Sequence, residues 1–268
     1  MNLLLRVLSG AVLLGIAVAA LWVGTAPVAL LVAGGSLAAA WEFHGLAARL
    51  GAAPPGWLLY PLTAWLALRA VFPAGYTGAD WALYAAVVLG LTGVVALRQD
   101  MQRWAMAVGG ACWLGLSLGT YLLLYRWSLA DPDHLGLRLV ALALSGVIAG
   151  DIAAYAAGSL IGRRPFFPAI SPHKTVEGSV AGLLASDAAT AVVGAAAGVL
   201  SWWQGAVLGV LVAVAAQAGD LAESALKRRA GVKDSSHLIP GHGGLLDRVD
   251  SLILAAPVVY CYLKLIAL

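Results

Sequence analysis

The chain has 268 residues, of which 62% are hydrophobic and 11% charged, with a formal net charge of +3. A soluble domain carries about 25% charged residues, so the polar residues here are too few to cover so apolar an interior, and lipid must be the solvent. The composition excludes a water-soluble globular protein. It predicts an all-α, polytopic integral membrane bundle in one integrated domain.

A spanning helix needs about 20 mostly apolar residues. Nine segments meet this: 7–24, 27–47, 57–72, 80–97, 104–125, 138–160, 177–200, 203–224 and 249–267. The third is short and carries Arg69 near its end. The apolar run after Arg6 reads as an uncleaved first helix, not a signal peptide, because no soluble stretch follows it. Residues 1–137 would hold five helices. Residues 138–268 would form the catalytic region, with its site loops on the cytoplasmic side. Cys112 and Cys261 lack metal or disulfide spacing and read as small buried hydrophobes.

With nine spans, twelve basic residues fall on the N-terminal side: Arg6, Arg49, Arg98, Arg103, Arg163, Arg164, Lys174, Lys227, Arg228, Arg229, Lys233 and Arg248. Arg69, Arg126, Arg138 and Lys264 fall on the other. The positive-inside bias then puts the N-terminus in the cytoplasm and the motif-bearing loops with it. Small residues recur at interhelical spacing in Gly115-xxx-Gly119, Gly146-xxx-Gly150, Gly158-xxx-Gly162 and Gly205-xxx-Gly209, a pattern that lets helices approach closely in lipid. The absence of an internal repeat argues against an inverted-repeat transporter.

Ionisable groups inside a span cost about 2.5–3.5 kcal/mol each on insertion scales, so Glu42, Asp151, Asp187, Asp220 and Glu223 each need a reason. Asp220, Glu223, Ser224 and Lys227 share one helix face, and Asp247 and Asp250 are one turn apart. Such carboxylates suit a hard divalent cation. Equally, Asp247 and Asp250 suit a helix N-terminus. Asp151 is a third such carboxylate; it and Tyr155 are one turn apart and share a face, so a Tyr–Asp hydrogen bond inside the bundle is the alternative. After the sixth span, Ser171, Lys174 and Thr175 are placed to donate to a phosphate, with Thr175 as N-cap of the next helix the alternative. Gly241-His-Gly-Gly244 reads as a turn whose backbone N–H groups cradle phosphate, or as a tight turn only. Lys227, Arg228, Lys233 and Arg248 surround it with positive charge. No P-loop and no zinc motif occurs.

The block Ser224-x-Leu-Lys-Arg-x4-Lys-Asp-x-Ser-x2-Ile-Pro-x-His-Gly-Gly-Leu-x-Asp-Arg-Val-Asp250 resembles the phosphatidate cytidylyltransferases. Asp151-x2-Ala-Tyr-x2-Gly158 and Ser171-Pro-x-Lys-Thr-x-Glu-Gly178 are similar to a second region of that family, with His173 where Lys is more usual. The first half shares only length, hydropathy and Trp41-Glu42. The resemblance implies transfer of the cytidylyl group of CTP to phosphatidate, giving CDP-diacylglycerol and pyrophosphate. It also implies Mg2+, with K+ or another monovalent cation sharing the site, and a homodimer in an inner or plasma membrane. Asp220 and Asp247 would be metal ligands with Asp250 close by; Lys227 and Arg248 would act in catalysis. Ser171, Lys174, Thr175, Ser224, Arg228, Lys233, Asp234, His242, Gly243 and Gly244 would bind substrate. Membrane lipids are expected partners and nucleic acid is not. The rival readings are a CTP-dependent enzyme with an isoprenoid acceptor, and a transporter or channel.

Overall fold

The structure, a computed structural model, describes residues 3–72, 87–88, 90–95, 100–127 and 134–266. Its helices are α1 (Leu3–Val23), α2 (Thr25–Arg49), α3 (Gly56–Leu68), α4 (Met101–Tyr125), α5 (Leu135–Ile161), α6 (Val176–Ala196), α7 (Trp202–Arg229) and α8 (Leu246–Leu265). Residues 90–95 are helical as well. Five of the helices, α2 and α4–α7, are long and apolar enough to cross a membrane, and the protein is a helical membrane protein. The expected span at 80–97 lies mostly outside the described residues. The one at 57–72 is shorter than expected: α3 has 13 residues, about 20 Å at 1.5 Å per residue, and closes in a 3-10 turn at Arg69–Val71.

The chain divides into two compact units. The first comprises residues 1–122 and 229–248. In it α2 packs on α1, α3 and α4. The interior is small and aliphatic, with Ala39, Ala40, Leu46, Leu59, Ala111 and Leu114 all buried. Phe43 sets its ring edge-on to Trp113, centroids 6.1 Å apart. Cys112–Leu116 form a π-helical turn within α4. Beside it, a Cβ on Gly115 would sit 2.5 Å from the Thr63 carbonyl oxygen and one on Gly119 2.8 Å from that of Leu66. These glycines let α4 lie against the backbone of α3, as the small-xxx-small spacing predicts.

The second unit comprises residues 123–228 and 249–268. Its α5 and α6 run antiparallel in close contact. A Cβ on Gly182 would approach the Gly150 carbonyl to 2.9 Å, and one on Gly178 the Ala154 carbonyl to 2.7 Å. On the other side of α6, Cβ atoms on Gly205 and Gly209 would lie 2.7 Å from Ala191 Cα and 2.5 Å from Asp187 Cα. Replacing Gly209 by Leu therefore forces α7 off α6. It is expected to lower stability by about 1–3 kcal/mol, the usual cost of overpacking, read as a lower midpoint of thermal unfolding in detergent.

At one end of this unit Arg138 Nη1 donates to the Ala197 carbonyl at 2.8 Å, where a cation offsets the negative end of α6. Tyr262 donates to the Gln204 carbonyl, and the Lys264 ammonium lies 4.0 Å from the centre of the Trp127 ring, a cation–π contact. The opposite end holds the charged groups described below.

Two expectations are corrected. The break between the expected spans 138–160 and 177–200 is not plain loop but includes an antiparallel hairpin of β1 (Pro165–Phe167) and β2 (Ser171–Thr175). Cys112 and Cys261 are exposed on their helices rather than buried; each sits on the outer face of an apolar helix, where a lipid-facing thiol needs no partner.

Candidate active site

In the second unit, the ends of α5, α7 and α8 and strand β2 bring carboxylates and lysines together. Asp220 on α7 pairs with Lys174 Nζ of β2 at 2.5 Å, each side chain 26% exposed. Ser224, one turn on, donates to Asp220 Oδ1 at 3.3 Å. Glu223 is fully buried and pairs with Lys227 at 2.5 Å. The i, i+3, i+4, i+7 spacing read from the sequence is thus used as two neighbouring pairs along one face. Gly219 makes the crossing possible: a Cβ there would overlap the Asp250 carbonyl oxygen. Because α7 and α8 approach so closely, Asp250 and Asp220 fall within electrostatic reach of each other, with Asp151 and Lys227 also near Asp250. Asp151 lies near Ser251 and within electrostatic reach of Asp220 and Lys174. Tyr155 does not turn inward to Asp151; it is 81% exposed.

The balance of this cluster is informative. Asp151, Asp220 and Asp250 face Lys174 and Lys227, with the charge of Lys227 already shared with Glu223. The excess is negative, and the donors are hard oxygens of the kind that divalent magnesium prefers. By chemistry and charge the residues fit such a cation. Among the described residues no three His, Cys, Asp or Glu side chains are already drawn together as a ligand set; on Asp220, the Lys174 ammonium takes one oxygen instead.

Around this cluster, Thr175 caps α6, its hydroxyl oxygen accepting from Gly178 N at 3.2 Å. That satisfies one of the orphan N–H groups of the helix start and leaves the hydroxyl proton for another partner. Glu177 Oε2 accepts from the N–H groups of Arg163 and Arg164, closing the hairpin. Arg228 Nε donates to the Ile170 carbonyl. Ser171 opens β2 and is half-buried.

In the first unit, the 233–248 segment is folded around two carboxylates. Glu42 of α2 is 2% exposed. Its Oε1 accepts from Ser236 Oγ at 2.6 Å and Leu245 N at 2.8 Å, and its Oε2 from Ser235 Oγ at 3.0 Å and Leu246 N at 2.6 Å. Asp247 Oδ2 accepts from Gly244 N at 2.8 Å and Ser235 N at 3.0 Å, and Ser235 Oγ lies 2.9 Å from it, its one proton shared between Asp247 and Glu42. Asp247 thus ties the preceding loop to the first turn of α8, while the N–H groups of Leu245 and Leu246 at the start of that helix go to Glu42. The turn itself is closed by Ile239 N to the Gly243 carbonyl at 2.8 Å and His242 N to the Ile239 carbonyl at 3.0 Å. Gly241 and Gly243 take φ of 81° and 87°, values that glycine adopts without strain. Lys233, Asp234 and Arg248 are exposed on this segment.

His242 reaches α1. Ser9 Oγ lies 2.8 Å from His242 Nδ1 and donates to the Pro240 carbonyl at 3.1 Å. The pair ties the turn to the first helix of the same unit.

The turn differs from its sequence reading in one respect. The N–H groups of His242 and Gly244 donate to Ile239 and Asp247 within the segment, and those of Leu245 and Leu246 donate to Glu42 of α2, so these four are turned to the protein and not to a phosphate. The sequence reading also missed Ser235, which touches both carboxylates, and expected for Glu42 a partner across helices without naming it. The signal for Glu42 was its charge within an apolar span; nothing local marked Ser235.

A family model described as the cytidylyltransferase family matches residues 4–266, and the chain belongs to that family. It is 46% identical over 145 residues to a phosphatidate cytidylyltransferase of Synechocystis sp., covering 52% of this chain and 48% of that protein. It is 39% identical over 134 residues to one of Brucella suis, half of each chain. A third, of Mycobacterium bovis, is 42% identical over 120 residues, covering 45% of this chain and 39% of that protein. The chain spans about half or less of the length of these relatives in the aligned stretches.

Proposed function

We propose that the protein transfers the cytidylyl group of CTP to phosphatidate, forming CDP-diacylglycerol and pyrophosphate at the cytoplasmic face of a bacterial inner or plasma membrane. The observation that carries this reading is the Asp151–Asp220–Asp250 cluster with Lys174 and Lys227 in a chain of the cytidylyltransferase family. Named relatives supply the choice of phosphatidate.

In the reaction a phosphatidate oxygen attacks the α-phosphorus of CTP. The bond from that phosphorus to the β-phosphate bridging oxygen breaks, and pyrophosphate leaves with the electron pair. Both partners are anionic, so the protein must offset their repulsion. Lys174 is placed to exchange its bond to Asp220 for a phosphate oxygen. Arg228, Lys233 and Arg248, all exposed, would hold the remaining oxygens as charge-assisted donors. Lys227, which pairs with Glu223 at the end of α7, is proposed to act in catalysis beside them. Within the second unit the proposed magnesium ligand is Asp220, with Asp250 beside it; Asp247 is proposed as a ligand on family resemblance alone, and a potassium ion sharing the site belongs to the same proposal. Bound there, the ion would neutralise triphosphate charge and favour departure of pyrophosphate.

Nine crossings with a cytoplasmic N-terminus complete the reading, resting on the bias of Lys and Arg. Within the first unit, Ser9 at the start of α1 and Glu42 in the second half of α2 both touch the 235–246 segment, which supports a common membrane side for those ends. A homodimer is proposed on family resemblance alone.

The acceptor is tested by offering labelled CTP with phosphatidate, dolichyl or polyprenyl phosphate, and diacylglycerol. Phosphatidate alone should carry label into the lipid phase. Equal labelling of an isoprenoid acceptor would overturn the assignment of substrate.

A further inference from the structure

We propose that Glu42 is a positioning residue of the reaction: from α2 it fixes the loop before α8 and the first turn of α8, and so sets the affinity for CTP. The inference rests on the cytidylyl transfer proposed above.

A charge in the lipid-spanning half of α2 costs free energy, so its partners should explain it. Glu42 has four, two to each oxygen, and none is a cation: the hydroxyls of Ser235 and Ser236 and the N–H groups of Leu245 and Leu246. Four donors match the four acceptor sites of a carboxylate. Two of them are N–H groups at the start of α8, which have no partner within the helix; the helix end is also where negative charge is favoured. Glu42 is therefore a cap supplied from another helix, about 200 residues away in the chain.

The same carboxylate is coupled to Asp247. The Ser235 hydroxyl lies 3.0 Å from Glu42 Oε2 and 2.9 Å from Asp247 Oδ2, and its single proton can serve only one of them at a time. Gly244 is wedged against the pair. A Cβ there would overlap Ser235 Oγ and come within 2.7 Å and 2.8 Å of the Glu42 oxygens. The position of Gly244, of Asp247 and of the turn between Ile239 and Gly243 is thus dictated by where Glu42 stands.

The experiment is Glu42→Gln in the full chain, purified in detergent. The amide keeps the shape but sets an NH2 group against two of the four donors, one of them a backbone N–H that cannot turn to accept. Hydrogen exchange at the Leu245 and Leu246 amides should quicken at least about tenfold, and KM for CTP should rise at least about tenfold, with a smaller change in kcat. A group that merely keeps the bundle folded would lower the active fraction and leave KM as it was; an unchanged KM overturns the proposal. Ser236→Ala, which removes one donor of four, should raise KM in the same direction by less, and it decides the matter if Glu42→Gln does not fold. Should the wild type bind no CTP, cytidylyl transfer fails, yet the exchange rates still judge Glu42: unaltered protection at Leu245 and Leu246 would refute its positioning role.

Discussion

Asp220→Asn should lower turnover by about two to three orders of magnitude, the loss seen when a single electrostatic stabiliser of a transition state is removed. The substitution keeps shape and removes charge. Asp220 is the member of the cluster that touches the most others: it pairs with Lys174, accepts from Ser224, and raises the local negative charge felt by Asp151 and Asp250. Its replacement frees Lys174 from its anchor and removes a hard oxygen donor at once. The fold should survive, because Asp220 is a quarter exposed and its loss relieves repulsion among the remaining carboxylates. Turnover is measured with saturating CTP and phosphatidate, and thermal unfolding in detergent serves as the control. Wild-type turnover in Asp220→Asn would remove Asp220 from the site.

Gly244→Ala is expected to be nearly as damaging through sterics alone. The added methyl would overlap Ser235 Oγ and press on both Glu42 oxygens. Neither neighbour can yield: Glu42 is held by two backbone N–H groups, and Ser235 is held by Asp247. The segment must move, taking Asp247 and the turn with it. Overpacking of this kind costs about 1–3 kcal/mol of stability, and activity should fall by more than the folded fraction does. Gly34→Ala, on the same helix as Glu42 but with nothing within 4 Å of the new methyl, is the matched control. It should retain activity, since alanine also favours the helix.

Much of this was readable from residue order. Hydropathy marks the long helices because lipid demands length and apolarity together, and α2 and α4–α7 each overlap an expected span. Helical spacing identified Asp220 and Ser224 as neighbours, and the glycine pairs as packing surfaces, because both are properties of a single helix. The third expected span was less legible: an apolar run with Pro61 inside it and Arg69 at its end gives a helix of 13 residues and a 3-10 turn. The hairpin was hidden because Pro165, Pro168 and Pro172 punctuate it and no alternating apolar pattern remains to signal a strand.

The contacts of Glu42 lie beyond local pattern altogether. Ser235 and Leu246 are 193 and 204 residues distant in the chain, and sequence spacing carries no information at that range. The inward direction of the His242 and Gly244 N–H groups was hidden for a related reason. Which way they point depends on the left-handed φ at Gly241 and Gly243 and on where Asp247 sits, and a run of glycines permits several such arrangements.

The central claim is tested most directly by following the phosphorus. Purified protein is given CTP labelled at the α-phosphate, phosphatidate and magnesium, and the lipid phase is counted, with a parallel sample labelled at the γ-phosphate. Cytidylyl transfer predicts α-label in the lipid, γ-label released as pyrophosphate, and loss of both when magnesium is chelated. Label in the lipid from the γ-position, or none from the α-position, would contradict it.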